Sequence, residues 1–133
     1  MNLKKRFGYI LLMYLFFSSC TNLDDNTIDD IVIYQDQNTT ITLLGVEDNR
    51  CPTEVICWWQ GNAAIDMRIE KDNETLYFTL NTAGEIYAGT NYFESISILD
   101  LNIELIDLQP YPEEEDTTYS LYDYNVDLEV IYE

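Results

Sequence analysis

The sequence predicts an all-β protein, a single antiparallel β-sandwich of about seven to eight strands with one disulfide. Three observations lead there. From Ile31 onward apolar residues recur at every second position, the period of a strand with one buried face. Turn-forming residues interrupt that pattern at short intervals, at Asp48-Asn49, Gly61-Asn62, Asp72-Asn73, Ala83-Gly84 and Asp100. Helical periodicity is absent after the first twenty residues, and residues 31–133 are enough for one core but not two.

The strands follow in order. Ile31 to Tyr34 and Thr40 to Val46 are short apolar candidates. Ala63, Ile65, Met67 and Ile69 alternate with Ala64, Asp66, Arg68 and Glu70, which puts an apolar row on one face and a charged row on the other. Leu76, Phe78 and Leu80 repeat the pattern, as do Val126, Leu128 and Val130, and Tyr92 to Leu99 is a further candidate. Along Leu101 to Leu108 the apolar phase slips, from Leu101, Ile103 and Leu105 to Ile106 and Leu108, so one extra residue near Leu105 is expected as a β-bulge. Gln109 to Thr118 carries two prolines and four consecutive acids, which reads as an exposed loop before the last strand. A sandwich, immunoglobulin-like or similar, is the expected way to close these strands.

The charge excludes several functions. Beyond residue 20 there are three basic residues, Arg50, Arg68 and Lys71, against all 25 acidic ones. Such a surface repels nucleic acid and anionic lipid, so no nucleic-acid partner is expected. The chain has no histidine, which removes Ser-His-Asp and Cys-His catalysis and the commonest zinc ligand. Carboxylate chemistry, tyrosine or an oxygen-ligated metal is left for catalysis; a carboxylate-based hydrolase is the enzyme reading carried forward, and no carboxylate pair stands out. The expectation is therefore a chain without catalysis and without a cofactor. Glu113, Glu114, Glu115 and Asp116 are calcium candidates by ligand type, yet they lack the spacing of an EF-hand loop.

Met1 to Cys20 reads as an export leader: Lys4, Lys5 and Arg6 precede an apolar run from Tyr9 to Phe17 that is too short to span a bilayer. Its end, Phe17-Ser18-Ser19-Cys20, resembles the lipobox of bacterial lipoproteins, with Phe17 where that family usually has Leu. The resemblance implies removal of residues 1–19, lipidation at Cys20 and anchoring in the bacterial cell envelope. Acidic residues soon after the cysteine, in Thr21 to Asp30, also resemble an export signal to the outer membrane. Residues 20–30 then form the lipidated cysteine and a flexible acidic tether, and residues 31–133 the domain.

Cys51 and Cys57 are an even pair in an exported chain, and a disulfide between them is expected as a staple rather than a redox centre. The surrounding Glu47, Asp48, Arg50, Cys51, Pro52, Cys57, Trp59, Gly61 and Ala63, with Leu108, Pro110, Tyr111, Pro112 and the final Tyr124, Val126, Leu128 and Val130, resemble a family of small exported bacterial domains. That family carries E-D-S-R-C-P, then C-x-W-x-G, and later L-x-P-Y-P; this chain departs from it at Asn49 and Gln60. The resemblance implies the fold and the disulfide, places Trp59 inward, and brings no activity with it. Trp58, on the opposite face, is then a surface residue, either packed over a neighbouring loop or free to anchor a partner protein or a glycan. Arg50 is expected to pair with a carboxylate and fix the loop, with partner recognition as its other role. The functional expectation is an exported, lipid-anchored, non-catalytic binding or structural module, with an accessory or inhibitory subunit of another envelope protein as the rival.

Overall fold

The computed structural model describes residues 30–58, 61–83, 93–114 and 117–133. Within them the chain is built from seven strands: β1 Ile31–Gln35, β2 Thr39–Asp48, β3 Ala63–Lys71, β4 Glu74–Asn81, β5 Ser95–Ile98, β6 Leu101–Gln109 and β7 Asn125–Tyr132. They form two antiparallel sheets, β1-β2-β3-β4 and β5-β6-β7. Each sheet is a meander of consecutive strands, so the sandwich is two meanders in series. A single 3-10 turn, Leu121–Asp123, precedes β7.

The inward rows of both sheets supply the core. Ile41 and Leu43 of β2, Ile65, Met67 and Ile69 of β3, and Phe78 and Leu80 of β4 meet Leu101, Ile103 and Leu108 of β6 and Val126 of β7. These are the alternating residues of the sequence, and their burial is the main favourable term holding the sheets face to face.

Three bulges keep those rows in phase. Pairing of β6 with β7 shifts between Leu105 and Asp107, leaving Ile106 as the extra residue, and the shift expected near Leu105 is thus present. Its effect on Ile106 differs from the expectation: the residue is 53% exposed rather than part of the core row, while Leu108 returns to the interior. β2 does the same against β3, where Leu44 is the extra residue between Leu43 and Gly45 and turns outward. Ile33 is the extra residue in β1, where it stays half-buried against the core.

The two ends of the sandwich differ. At one end the connections are tight. Asp72 and Asn73, with φ 51° and 68°, close the β3–β4 hairpin, and Leu99 and Asp100, with φ 52° and 58°, close β5–β6. Paired positive φ values are those of a type I′ turn, whose twist matches the strands. Leu99 therefore belongs to a turn and not to a strand; β5 is shorter than the sequence suggested because the reversal begins one residue before Asp100. Lys71 Nζ donates to the Leu99 carbonyl at 2.9 Å and ties that turn to the opposite sheet. A second tie is the Asp36 carboxylate, which accepts from the hydroxyls of Tyr34 and, across the sandwich, Tyr132. Burial pushes the Asp36 carboxyl upward, but the backbone N–H groups of Asn38 and Thr39 and the Tyr34 hydroxyl outweigh it and hold the group below its ordinary range.

At the other end lie the described parts of the long connections, residues 49–58, 61–62, 82–83, 93–94, 110–114 and 117–124. Loops carry function when a rigid scaffold positions them, and this end holds every described residue that the sequence singled out as a candidate.

Candidate functional site

The site begins where β2 ends. Asp48 Oδ1 accepts the Arg50 backbone N–H at 3.1 Å, an Asx-type turn that reverses the chain at the Asp48-Asn49 signal. The turn brings the Arg50 side chain inward, where it is 8% exposed. Its Nε donates to Asp48 Oδ1 at 2.8 Å and Nη2 to Asp48 Oδ2 at 2.6 Å, a bidentate fork. Nη1 donates to the Leu108 carbonyl and Nη2 to the Pro110 carbonyl, both at 2.7 Å. The guanidinium also lies 4.6 Å from the centre of the Tyr111 ring. Asp48 Oδ2 takes a further donor from Tyr124 at 3.3 Å. Burial, and then the charge of Asp48, push the Tyr124 hydroxyl above its ordinary pKa.

Arg50 is thus a clamp between the β2 end and the Gln109–Pro110 segment. Of its two expected roles, it fills the pairing one; recognition of a partner would need donors that Asp48, Leu108 and Pro110 already occupy. The clamp makes the Asp48–Arg50 stretch and the Leu108–Tyr111 stretch one unit in space.

The disulfide follows directly. Cys51 and Cys57 are bonded, with Cα atoms 6.0 Å apart. Inside the ring, Thr53 N donates to the Pro112 carbonyl and Glu54 N to the Glu113 carbonyl, both at 3.1 Å, so the ring is sewn to the proline loop by its backbone. The stretch from Gln109 was expected to be an exposed loop; its first part instead packs here and Pro112 is buried, because the ring and the clamp need its carbonyls. Gly61 closes the arrangement. With φ 75° it sits where a Cβ would fall 2.2 Å from the Asn49 carbonyl oxygen and 2.8 Å from both Arg50 Cα and Cys51 N, so only glycine lets the returning chain pass behind the clamp. Asn62 then bonds Asn81 Oδ1 through Nδ2 at 2.8 Å and accepts the Ala83 N–H at 3.1 Å, fixing the start of β3.

This fastened loop presents apolar groups outward. Trp58 is 98% exposed, so its indole does not pack over a neighbouring loop, the alternative that the sequence had left open. Ile56, which the sequence reading passed over, is also 98% exposed, with Val55 beside it. The signal for it was an apolar Val-Ile pair inside a ring too short to form a strand or reach the core. Trp59, expected inward, lies outside the described residues, as do Cys20, the leader, most of the tether, Glu115 and Asp116. Glu113 and Glu114 are exposed, and no cluster of three metal-ligating side chains occurs among the described residues. Beside the clamp runs a groove of about 360 Å³, lined by Arg50, Asn81, Thr82, Leu105, Ile106 and Tyr111 among others.

Comparison of the chain with protein-family models, curated proteins and solved structures finds no match in any of the three.

Proposed function

We propose that this chain is an exported binding module of the bacterial cell envelope, anchored through a lipid on Cys20, set off by the acidic tether and acting without catalysis. The observation that carries the binding reading is the pair of side chains on the disulfide loop. A tryptophan and an isoleucine almost fully in water contribute nothing to the fold. The loop that holds them is nevertheless fastened by a disulfide, two backbone hydrogen bonds and a buried arginine. A surface held rigid without stabilising its own domain suits recognition, because the ordering cost of binding is already met. The leader and the Phe17-Ser18-Ser19-Cys20 stretch support the anchoring.

Two measurements test the reading. Cys20→Ala should move the protein from the membrane fraction to the soluble fraction of cells; membrane association unaffected by that change would remove the anchor. Affinity capture from a detergent-solubilised envelope extract, with residues 21–133 as bait and an equally acidic unrelated protein as control, should retain a component in high salt that the control does not. Retention identical to the control would end the binding reading.

A further inference from the structure

The rim around the exposed pair specifies its partner. Glu54 lies in the ring itself, Glu113 is hydrogen-bonded to it through its carbonyl, Glu114 follows, and Glu47 stands just before the clamp; all four are exposed. The nearby cation, Arg50, is buried and neutralised by Asp48. The loop is therefore an apolar tip with a carboxylate collar. That combination disfavours an anionic bilayer, whose surface potential repels the collar while the tip would have to insert. A sugar fits only in part: it would stack on Trp58 and donate its hydroxyls to the carboxylates, but would leave Ile56 in water, whereas a protein cleft covers both apolar side chains.

We propose that the Cys51 to Trp58 loop is a docking plug whose occupant is a protein with an apolar cleft rimmed by lysine or arginine. Ile56 and Trp58 enter the cleft, and Glu47, Glu54, Glu113 and Glu114 meet its basic rim. Burying a tryptophan removes ~150–250 Å² from water, and tryptophan is one of the residues enriched among the anchors of protein interfaces. The carboxylates contribute to the rate of encounter and to the rejection of acidic surfaces more than to the lifetime of the complex. This proposal rests on the binding-module reading and adds the surface and the chemistry of its partner.

The test is site-specific photo-crosslinking of the full chain in its native cells, with benzoylphenylalanine in place of Ile56, of Trp58 or, as a control, of exposed Tyr77 on β4. The protein found in the adduct is then titrated with the unsubstituted chain, with Trp58→Ala, and with Glu54→Lys combined with Glu113→Lys and Glu114→Lys. Expected are adducts from positions 56 and 58 to one protein and none from 77. Trp58→Ala should weaken affinity at least tenfold. The charge reversal should slow association about tenfold at low salt, an effect that high salt abolishes. Adducts to lipid or polysaccharide alone, no adduct at all, or charge reversal that leaves association unchanged would each overturn the proposal. Adducts from position 77 only would remove the plug and leave the binding module standing. All the substituted residues are exposed, and an unchanged melting temperature separates these outcomes from misfolding.

Discussion

Replacing Arg50 with methionine removes the clamp while keeping most of its apolar stem. The loss can be worked through group by group. Asp48, whose side chain is 9% exposed, loses both arms of the fork and keeps only the Arg50 backbone N–H and the Tyr124 hydroxyl. The Leu108 and Pro110 carbonyls lose their donor, and Tyr111 loses its cation. Removing one partner of a buried ion pair costs about 3–5 kcal/mol, much of it the desolvation of the charge left behind. Carbonyls left without a donor add up to ~1–3 kcal/mol each where water cannot reach them, and the terms are not additive. We expect Arg50→Met to lose about 4 kcal/mol, a large share of the ~5–15 kcal/mol typical of a small domain. Urea unfolding of residues 21–133 under non-reducing conditions, followed by far-UV circular dichroism, measures it. Two companion variants separate charge from geometry. Arg50→Lys keeps the charge without the fork and should lose roughly half as much. Asp48→Asn combined with Arg50→Met buries no unpaired charge and should be more stable than the sum of the single changes by about 2 kcal/mol. A loss below ~1 kcal/mol for Arg50→Met at an unchanged urea slope would refute the buried clamp.

Other outcomes follow from the same geometry. Gly61→Ala should cost more than ~2 kcal/mol, since the left-handed backbone alone disfavours alanine by ~1–2 kcal/mol and the new Cβ meets main chain that has no room to yield; thermal melting reads this directly. Cys51→Ser with Cys57→Ser should lower stability by about 2 kcal/mol, the chain-entropy value for so small a ring, measured by urea unfolding. Ile106→Ser should change stability by less than ~0.5 kcal/mol while Leu108→Ala costs ~2–5 kcal/mol; equal effects would mean that the β6 bulge is misplaced. Because the folded pKa of Asp36 lies below its unfolded value of about 3.9, its contribution is complete above that value and is lost as pH falls through the folded pKa. Tyr34→Phe should raise the Asp36 pKa in an NMR titration.

The rows of alternating apolar residues were plain in the sequence because a sheet with one wet face writes its period directly into the chain. The bulge in β6 was legible for the same reason, since Leu105 and Ile106 are adjacent apolar residues; that Ile106 would turn to water was not, because the phase slip alone has it rejoin the core row. Leu43 and Leu44 carry the same signature of adjacent apolar residues at the β2 bulge. The Leu99 turn was hidden, since leucine with positive φ breaks local preference and is held by Lys71 from the other sheet, a contact no local pattern encodes. The disulfide followed from cysteine spacing. What the sequence could not convey was that Arg50 points inward, because its acceptors at Leu108 and Pro110 lie some sixty positions away. Ile56 was obscured by the habit of assigning apolar residues to the core.

The register of β1 bears on how the proposed anchor would work. Ile31 stands opposite Leu43, while β2 runs on to Asp48, so the chain leaves the domain toward the long-loop end, about 17 Å short of the end of β2, and the Arg68 to Asp30 ion pair holds that exit. Ten residues of tether from Thr21 to Asp30 reach at most ~36 Å when fully extended. On the proposed lipidation, the plug would therefore sweep a shell only a few nanometres deep above its own leaflet. Confinement of that kind raises the local concentration of a target embedded in the same membrane above its value in free solution. A contact of only moderate affinity in solution would then be more fully occupied at the membrane surface.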